Sequence, residues 1–248
     1  MIDTHCHIDL YKNPIATALD IEKSGITTIA VTNLPSHFEM AYSHLKNLKK
    51  IRVALGFHPS FAAKNQNELS TFKRLVSTTS YIGEIGLDFS KEGQATKDIQ
   101  LQCFKKILGY INDRPRFITI HSRGAEDVVL KLLDEFKIEN PVLHWYSGTL
   151  PILKSAIDQG SYFSINPAMA ISKKGRAIID KIPKERILTE SDGPYVQIKG
   201  NPIKSSDVCS VIKYLKDLWE INGEEVEKQV SNNFMNIISL IKNDSQKL

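Results

Sequence analysis

Two histidines separated by one residue stand at the start of the chain, in Ile2-Asp3-Thr4-His5-Cys6-His7-Ile8-Asp9. On a strand, side chains alternate between faces, so His5 and His7 would point the same way as Asp3 and Asp9. Two imidazoles on one face can grip a metal ion from one side. A bare His-x-His near a terminus is equally compatible with ordinary polar residues, so partners elsewhere must decide. Five of the seven histidines and two carboxylates follow short apolar runs. His5 and His7 end the first run, His58 follows the third and Glu84 the fourth; His121 ends the fifth, His144 the sixth, and Asp192 follows the eighth. Only His37 and His44 lie elsewhere, in a polar helix-like stretch.

Imidazole and carboxylate ligands without cysteine suit a divalent catalytic ion. Four histidines and two carboxylates exceed what one open ion needs, but would serve two ions about 3.5–4 Å apart that share a bridging carboxylate. Such a pair activates a water and holds both attacking and leaving oxygens, which fits a phosphate ester.

The elements that must position these residues alternate along the chain. Residues 2–8, 26–31, 51–55, 81–86, 116–120, 141–143, 162–164 and 187–189 read as strands, nearly all separated by helical patterns. Asn13 and Pro14 open the first helix and Gly25 closes it. Thr149 is expected to cap another helix, a further one starts at Asp207, and the last runs from about Glu224, with residues 243–248 expected to fray. Eight strand–helix units with no linker predict an α/β (β/α)8 TIM barrel, a single domain over residues 1–248. A doubly wound open sheet is the main rival from pattern alone. In a barrel all strand carboxyl ends open on one rim, where barrel active sites sit.

Composition bounds the rest. Hydrophobic content of 42% and charged content of 24% allow an ordinary core without disulfides. The net charge of +4 permits a polyanionic substrate without arguing for one. Three scattered cysteines fit a reduced compartment, no apolar run approaches a membrane span, and the N-terminus does not read as a leader, so a cytoplasmic location is expected.

Several motifs carry a resemblance. Asp3-Thr4-His5-Cys6-His7, Gly56-Phe57-His58-Pro59, Gly83-Glu84-Ile85-Gly86-Leu87-Asp88, His121-Ser122-Arg123, His144-Trp145-Tyr146-Ser147-Gly148 and Thr189-Glu190-Ser191-Asp192-Gly193-Pro194 resemble, in order, the TatD family of metal-dependent deoxyribonucleases. With the Asn233-Phe234 ending, the resemblance covers nearly the whole chain. The His-Trp-Tyr-Ser-Gly stretch, the segment from Phe163 to Met169 and Lys174-Gly175-Arg176 look like the TatD-type component of Qat anti-phage defence systems.

The resemblance implies a metal-dependent DNA hydrolase, of exonuclease type, acting in anti-phage defence. His5 and His7 would hold one divalent ion, Glu84 would bridge, and His121 and His144 would hold the second. Asp192 would ligate the first ion and orient or deprotonate the attacking water. Arg123 could grip a phosphate through its planar fork or simply stand at a solvated helix start, while His58 would either meet a phosphate or cap the turn before Pro59. Glu190 is a candidate partner for a ligand histidine. Trp145 and Tyr146 could stack on a base or simply pack, and Lys173, Lys174 and Arg176 could steer a strand by its phosphates. Cys6 is expected in the core. The family implies Mg²⁺, whereas four imidazoles favour Zn²⁺ or Mn²⁺. DNA is the implied substrate, other Qat proteins are candidate partners, and no membrane is involved. Phe89-Ser90 and Asn166-Pro167 depart from the family pattern near the expected substrate channel.

Two rivals remain at this level. One is hydrolysis of another ester or amide, at an RNA end or in a small molecule; no strand-end lysine is present to bridge metals after carboxylation, and Glu84 takes that place. The other is a metal-bearing partner subunit of a defence complex, against which the intact ligand set argues.

Overall fold

The computed structural model describes residues 1–245. Apolar, β-branched runs of three to six residues form the strands, and both faces of each are covered, so they lack the polar alternation of half-exposed sheets. β1 (Ile2–Cys6), β2 (Thr27–Ala30) and β3 (Ile51–Val53) pair side by side, and β4 (Leu55–Phe57), β5 (Tyr81–Gly86), β6 (Phe117–His121), β7 (Val142–His144), β8 (Tyr162–Ile165) and β9 (Ile187–Thr189) continue in that order, all parallel. β3 and β4 are two halves of one stave interrupted at Ala54, which makes eight staves.

Both seams between the two sheets are closed by hydrogen bonds. At one, the Thr32 amide donates to the Gly83 carbonyl and the Glu84 amide to the Thr32 carbonyl, each at 3.1 Å. At the other, the Thr4 hydroxyl donates to the Thr189 carbonyl at 3.0 Å and the Asp192 amide to the His5 carbonyl at 2.8 Å. The sheet is therefore a closed (β/α)8 TIM barrel, not an open doubly wound sheet. Gly56 permits the first seam, because a Cβ there would overlap the Thr32 carbonyl.

Helices α1 (Pro14–Ser24), α2 (Pro35–Leu45), α3 (Leu69–Leu75), α4 (Lys97–Ile111), α5 (Glu126–Glu135) and α6 (Leu150–Asp158) follow their staves around the outside. Asn13 caps α1 by accepting from the Ala16 amide, and Gly25 ends it at φ 74°. Two short helices not expected from the sequence, α7 (Pro167–Ile171) and α8 (Lys173–Ile179), follow β8, and a small hairpin of β10 (Gln197–Ile198) and β11 (Asn201–Pro202) precedes α9 (Cys209–Trp219) and α10 (Gly223–Ser245). The fraying expected over residues 243–248 does not reach Ser245, which is still helical; residues 246–248 lie outside the described residues. Thr149 stands at the N-cap of α6, but its side chain makes no capping bond, and its carbonyl accepts from the Tyr146 hydroxyl at 2.9 Å.

Side-chain parity sorts the barrel interior into two layers. On β6 the inward face reads Phe117, Thr119, His121; on β7 it reads Val142, His144; on β8 Tyr162, Ser164; and from β9 onward Leu188, Glu190. The lower residues join Ile2, Ile29 and Val31 in an apolar cluster, which α10 plugs with Phe234, Ile237 and Ile238. Phe234 packs on Phe117 at 5.8 Å, and the Asn233 amide donates to the Lys184 and Ile187 carbonyls at 2.7 and 2.8 Å. With that mouth closed, the upper polar layer opens only at the carboxyl ends of the strands. No described helix is long and apolar enough to cross a membrane.

β1 ends earlier than its pattern suggests. His7 has already left the strand at φ −87°, ψ 73°, and Ile8–Leu10 forms a 3-10 turn, so Asp9 does not continue the His5/His7 face. Its carboxylate lies 3.7 Å from His37 instead. Asp3 accepts from the Ser191 amide at 2.8 Å and the Ser191 hydroxyl at 2.6 Å, which ties β1 to the loop carrying Asp192.

Candidate metal centre

Regular alternation fails on β5 between Ile82 and Ile85, both of which pack outward in the main core. The extra residue lets Gly83 face Thr119 closely and turns Glu84 into the barrel axis. Glu84 is thereby the centre of the site, and its two oxygens face different groups.

Oε2 lies 3.2 Å from His7 Nε2 and 3.5 Å from His5 Nε2. Asp192 Oδ1 completes that side at 3.7 Å from His7 Nε2 and 3.9 Å from His5 Nε2. His5 Nδ1 is held at 2.8 Å from the Thr119 hydroxyl, and its ring stacks on His144 at 3.9 Å, so Nε2 can only face Glu84 and Asp192. Asp192 reaches in from a left-handed backbone, φ 49°, a conformation that aspartate tolerates.

Oε1 meets the other set. His121 Nδ1 lies 2.6 Å away, His144 Nε2 2.9 Å and His58 Nε2 3.4 Å. His58 caps its turn, with Nδ1 accepting from the Ser60 amide at 3.1 Å, while Nε2 turns to Glu84. Glu190 supports His144 at 3.6 Å from Nδ1. It is itself fixed by the Trp145 amide at 3.1 Å, the Asn166 amide at 3.0 Å and the Ser164 hydroxyl. Asn166, a departure from the family pattern, thus serves both this carboxylate and the cap of α7.

Burial and charge explain the titration pattern. Burial alone pushes Glu84 up, but His58, His144 and His121 pull its carboxyl well below the ordinary range. Burial, reinforced by the neighbouring carboxylates Glu190 and Glu84 and opposed by His144, holds Asp192 well above it. Burial and the charge of His144 hold His5 well below the usual imidazole range. Burial pushes His144 and His121 down too, but Glu84 and Glu190 hold His144 well above the usual range, and Asp88 and Glu84 raise His121.

A divalent cation fits the unpartnered donors on the Oε2 side. His5 Nε2, His7 Nε2 and Asp192 Oδ1 are buried, converge on Glu84 Oε2 and have no hydrogen-bond partner. Metal–ligand bonds of roughly 2.0–2.2 Å in tetrahedral array place neighbouring donors a little over 3 Å apart, close to the spacings seen. The donor atoms of His5, His7 and Glu84 lie within 4.8 Å of one another, as do those of His58, Glu84 and His121 and those of His5, His144 and Asp192. With Asp192 near His5 and His7, and His144 on Glu84, they could hold one ion on His5, His7, Glu84 and Asp192 and a second on Glu84, His121 and His144, with His58 adjacent.

Asp88 was not singled out from the sequence. Its Oδ2 lies 3.0 Å from His121 Nε2, the far side of the ring from Glu84, as a carboxylate orienting a metal-binding histidine does. It closes the Gly83–Asp88 motif, so the signal was present without a role. The remaining expectations divide. Arg123 stands at the cleft lip, largely exposed, in a loose ion pair with the exposed Glu92 at 3.9 Å. Lys174 donates to the Ser147 carbonyl at 2.6 Å and Arg176 to the Ala170 carbonyl at 2.7 Å, so both hold the fold together. Cys6 is buried, as expected.

A barrel with an imidazole- and carboxylate-rich centre at its carboxyl rim defines a metal-dependent hydrolase. The chain belongs to the TatD related DNase family, whose profile matches residues 2–239. An uncharacterized metal-dependent hydrolase of Methanocaldococcus jannaschii is 25% identical over 240 residues, covering 94% of each chain. The human protein named deoxyribonuclease TATDN3 is 25% identical over 271 residues, 100% of this chain and 97% of that one. The solved Escherichia coli TatD homologue YjjV shares the fold with a TM-score of 0.84 at 23% identity, over 96% of this chain and 97% of that one.

Proposed function

We propose that this chain hydrolyses phosphodiester bonds in DNA from an end, as a cytoplasmic exonuclease of the TatD-type component of a Qat anti-phage system, with residues 1–248 acting as one hydrolase domain. The observation that carries the DNA-hydrolase reading is the single carboxylate of Glu84 set between two groups of imidazoles, with Asp192 beside His5 and His7 on one of them. His5, His7, Glu84 and Asp192 would ligate one divalent ion, and Glu84, His121 and His144 the other. Imidazole-rich donors favour Mn²⁺ or Zn²⁺, and the family resemblance favours Mg²⁺. Divalent ions held there supply Lewis-acid stabilisation of charge developing on phosphoryl oxygens.

The protein's own groups do the rest. Asp192, whose Oδ1 has no hydrogen-bond partner, orients the attacking water and takes its proton. Arg123 at the lip grips a substrate phosphate through its planar fork. His58, with Nδ1 fixed by its turn, keeps Nε2 toward the centre. The relatives named deoxyribonucleases support DNA as the substrate. The defence context and the preference for ends rest on the motif resemblance alone.

The test is incubation of the metal-loaded protein with end-labelled single-stranded and duplex DNA in Mg²⁺ or Mn²⁺. Progressive release of short labelled products is expected, and their absence with metal bound would sink the reading. Phage challenge of cells carrying the His5→Ala/His7→Ala variant tests the defence role, with loss of protection expected.

A further inference from the structure

Two aromatic residues follow one another after His144, and the fold treats them in opposite ways. Tyr146 is 1% exposed, packs edge-on against Phe163 at 5.7 Å and spends its hydroxyl on the Thr149 carbonyl. Trp145 is 38% exposed and lines the cleft above the centre. Its backbone sits at φ 39°, where a bulky residue is rarely found, and its amide is pinned to Glu190. More than a third of a large ring therefore faces the cleft from a strained backbone, one residue from a proposed ligand.

The rest of the cleft says what the ring faces. Its volume is about 570 Å³, within the range of small-ligand sites. The floor is polar, with Glu84, Asp192 and the histidines, and Arg123 stands at one lip. The upper walls are aromatic: Trp145, Tyr195 and Phe61. Tyr195 is itself 53% exposed and stands edge-on over His7 at 4.9 Å. A polar, cation-ready floor beneath aromatic walls matches a nucleotide, with phosphate down and base up.

We propose that Trp145 is the platform on which the base beside the cleaved phosphodiester stacks, so that the substrate must present that nucleotide unpaired. This rests on the phosphodiesterase reading above. Stacking needs an open π-face, and a base inside a duplex has both faces covered by its neighbours, whereas a single-stranded or frayed end offers one. Because every base has a π-face, the selection is for unpaired strands and tolerates any sequence.

The test uses the Mn²⁺-loaded full chain on single-stranded oligonucleotides whose terminal nucleotides are either natural or abasic at both ends. Trp145→Ala should raise KM on natural ends about tenfold, with kcat within about twofold, and Trp145→Phe should recover most of the loss. On abasic ends wild type and Trp145→Ala should have the same KM. In a Trp219→Phe background, which leaves Trp145 as the one tryptophan, a natural oligonucleotide should quench the emission and an abasic-ended one should not. Equal KM for wild type and Trp145→Ala on natural ends overturns the proposal. So does an equal loss on natural and abasic ends, which would mark a structural role. If wild type cleaves no DNA at all, the phosphodiesterase reading fails instead, and quenching by the natural oligonucleotide still decides whether Trp145 stacks.

Discussion

The two sides of Glu84 differ in how they are sealed and in what their atoms already hold. On the Oε2 side, His5 and His7 are wholly buried, and their Nε2 atoms and Asp192 Oδ1 have no hydrogen-bond partner. On the Oε1 side, His58 and His121 keep 13% and 15% of their side chains open to the cleft. There His121 is hydrogen-bonded to both Glu84 and Asp88, and His144 to Glu84. A buried polar atom without a partner costs about 1–3 kcal/mol. Three such atoms side by side make the sealed half a liability unless a cation fills it, whereas on the open half His121 and His144 are bonded to Glu84 and only His144 Nδ1 lacks a hydrogen-bond partner. The sealed half should therefore hold its ion more tightly, and the open half should be where ion and substrate exchange.

Removing the carboxylate common to both halves should have the largest effect. Glu84→Ala is expected to lower phosphodiester hydrolysis at least about 10³-fold, equivalent to roughly 4 kcal/mol of barrier; steady-state rates retained within about tenfold would break the picture of a shared bridge. Next comes the sealed half by itself. His7→Ala should lower activity about 10²-fold and weaken only the tighter of two binding events in a metal titration. Loss of the weaker event would reverse the ranking of the halves.

A smaller and more local change is Asp88→Asn, which keeps the shape but removes the charge behind His121. Metal affinity of the open half should fall about 10- to 100-fold with the sealed half unchanged. Calorimetric titration separates the two, and equal weakening of both would show that Asp88 acts on the whole rim. The smallest effect is expected at the lip, where solvent screens a largely exposed charge. Arg123→Ala should raise KM for DNA a few-fold and reduce the slope of log affinity against log salt by about one; an unchanged slope would mean that Arg123 meets no phosphate.

Much of this asymmetry was legible in the sequence, and its limits have physical reasons. Strand ends are marked by the switch from apolar runs to single polar residues, which is why His5, His7, Glu84, His121, His144 and Asp192 could be placed on one rim before any coordinates. Which oxygen of Glu84 faces which histidine could not be read, because it depends on the irregularity between Ile82 and Ile85 that turns Glu84 inward. The expected alignment of Asp9 with His7 failed because alternation holds only while the chain stays extended, and β1 stops at Cys6. Asp88 and Asn166 were visible as residues but not as roles: each acts through another side chain, at a contact set by the approach of separate staves. Periodicity likewise could not separate α7 from α8, whose boundary is the capping hydroxyl of Ser172, bonded to the Gly175 amide at 3.0 Å.

Metal stoichiometry tests the central claim most directly. Elemental analysis of protein equilibrated with Mn²⁺ should find two ions per chain in wild type, one in His7→Ala and, at limiting free metal, neither in Glu84→Ala. A single ion in wild type that disappears with His7→Ala, or two ions that survive the loss of Glu84, would contradict a centre built on one shared carboxylate.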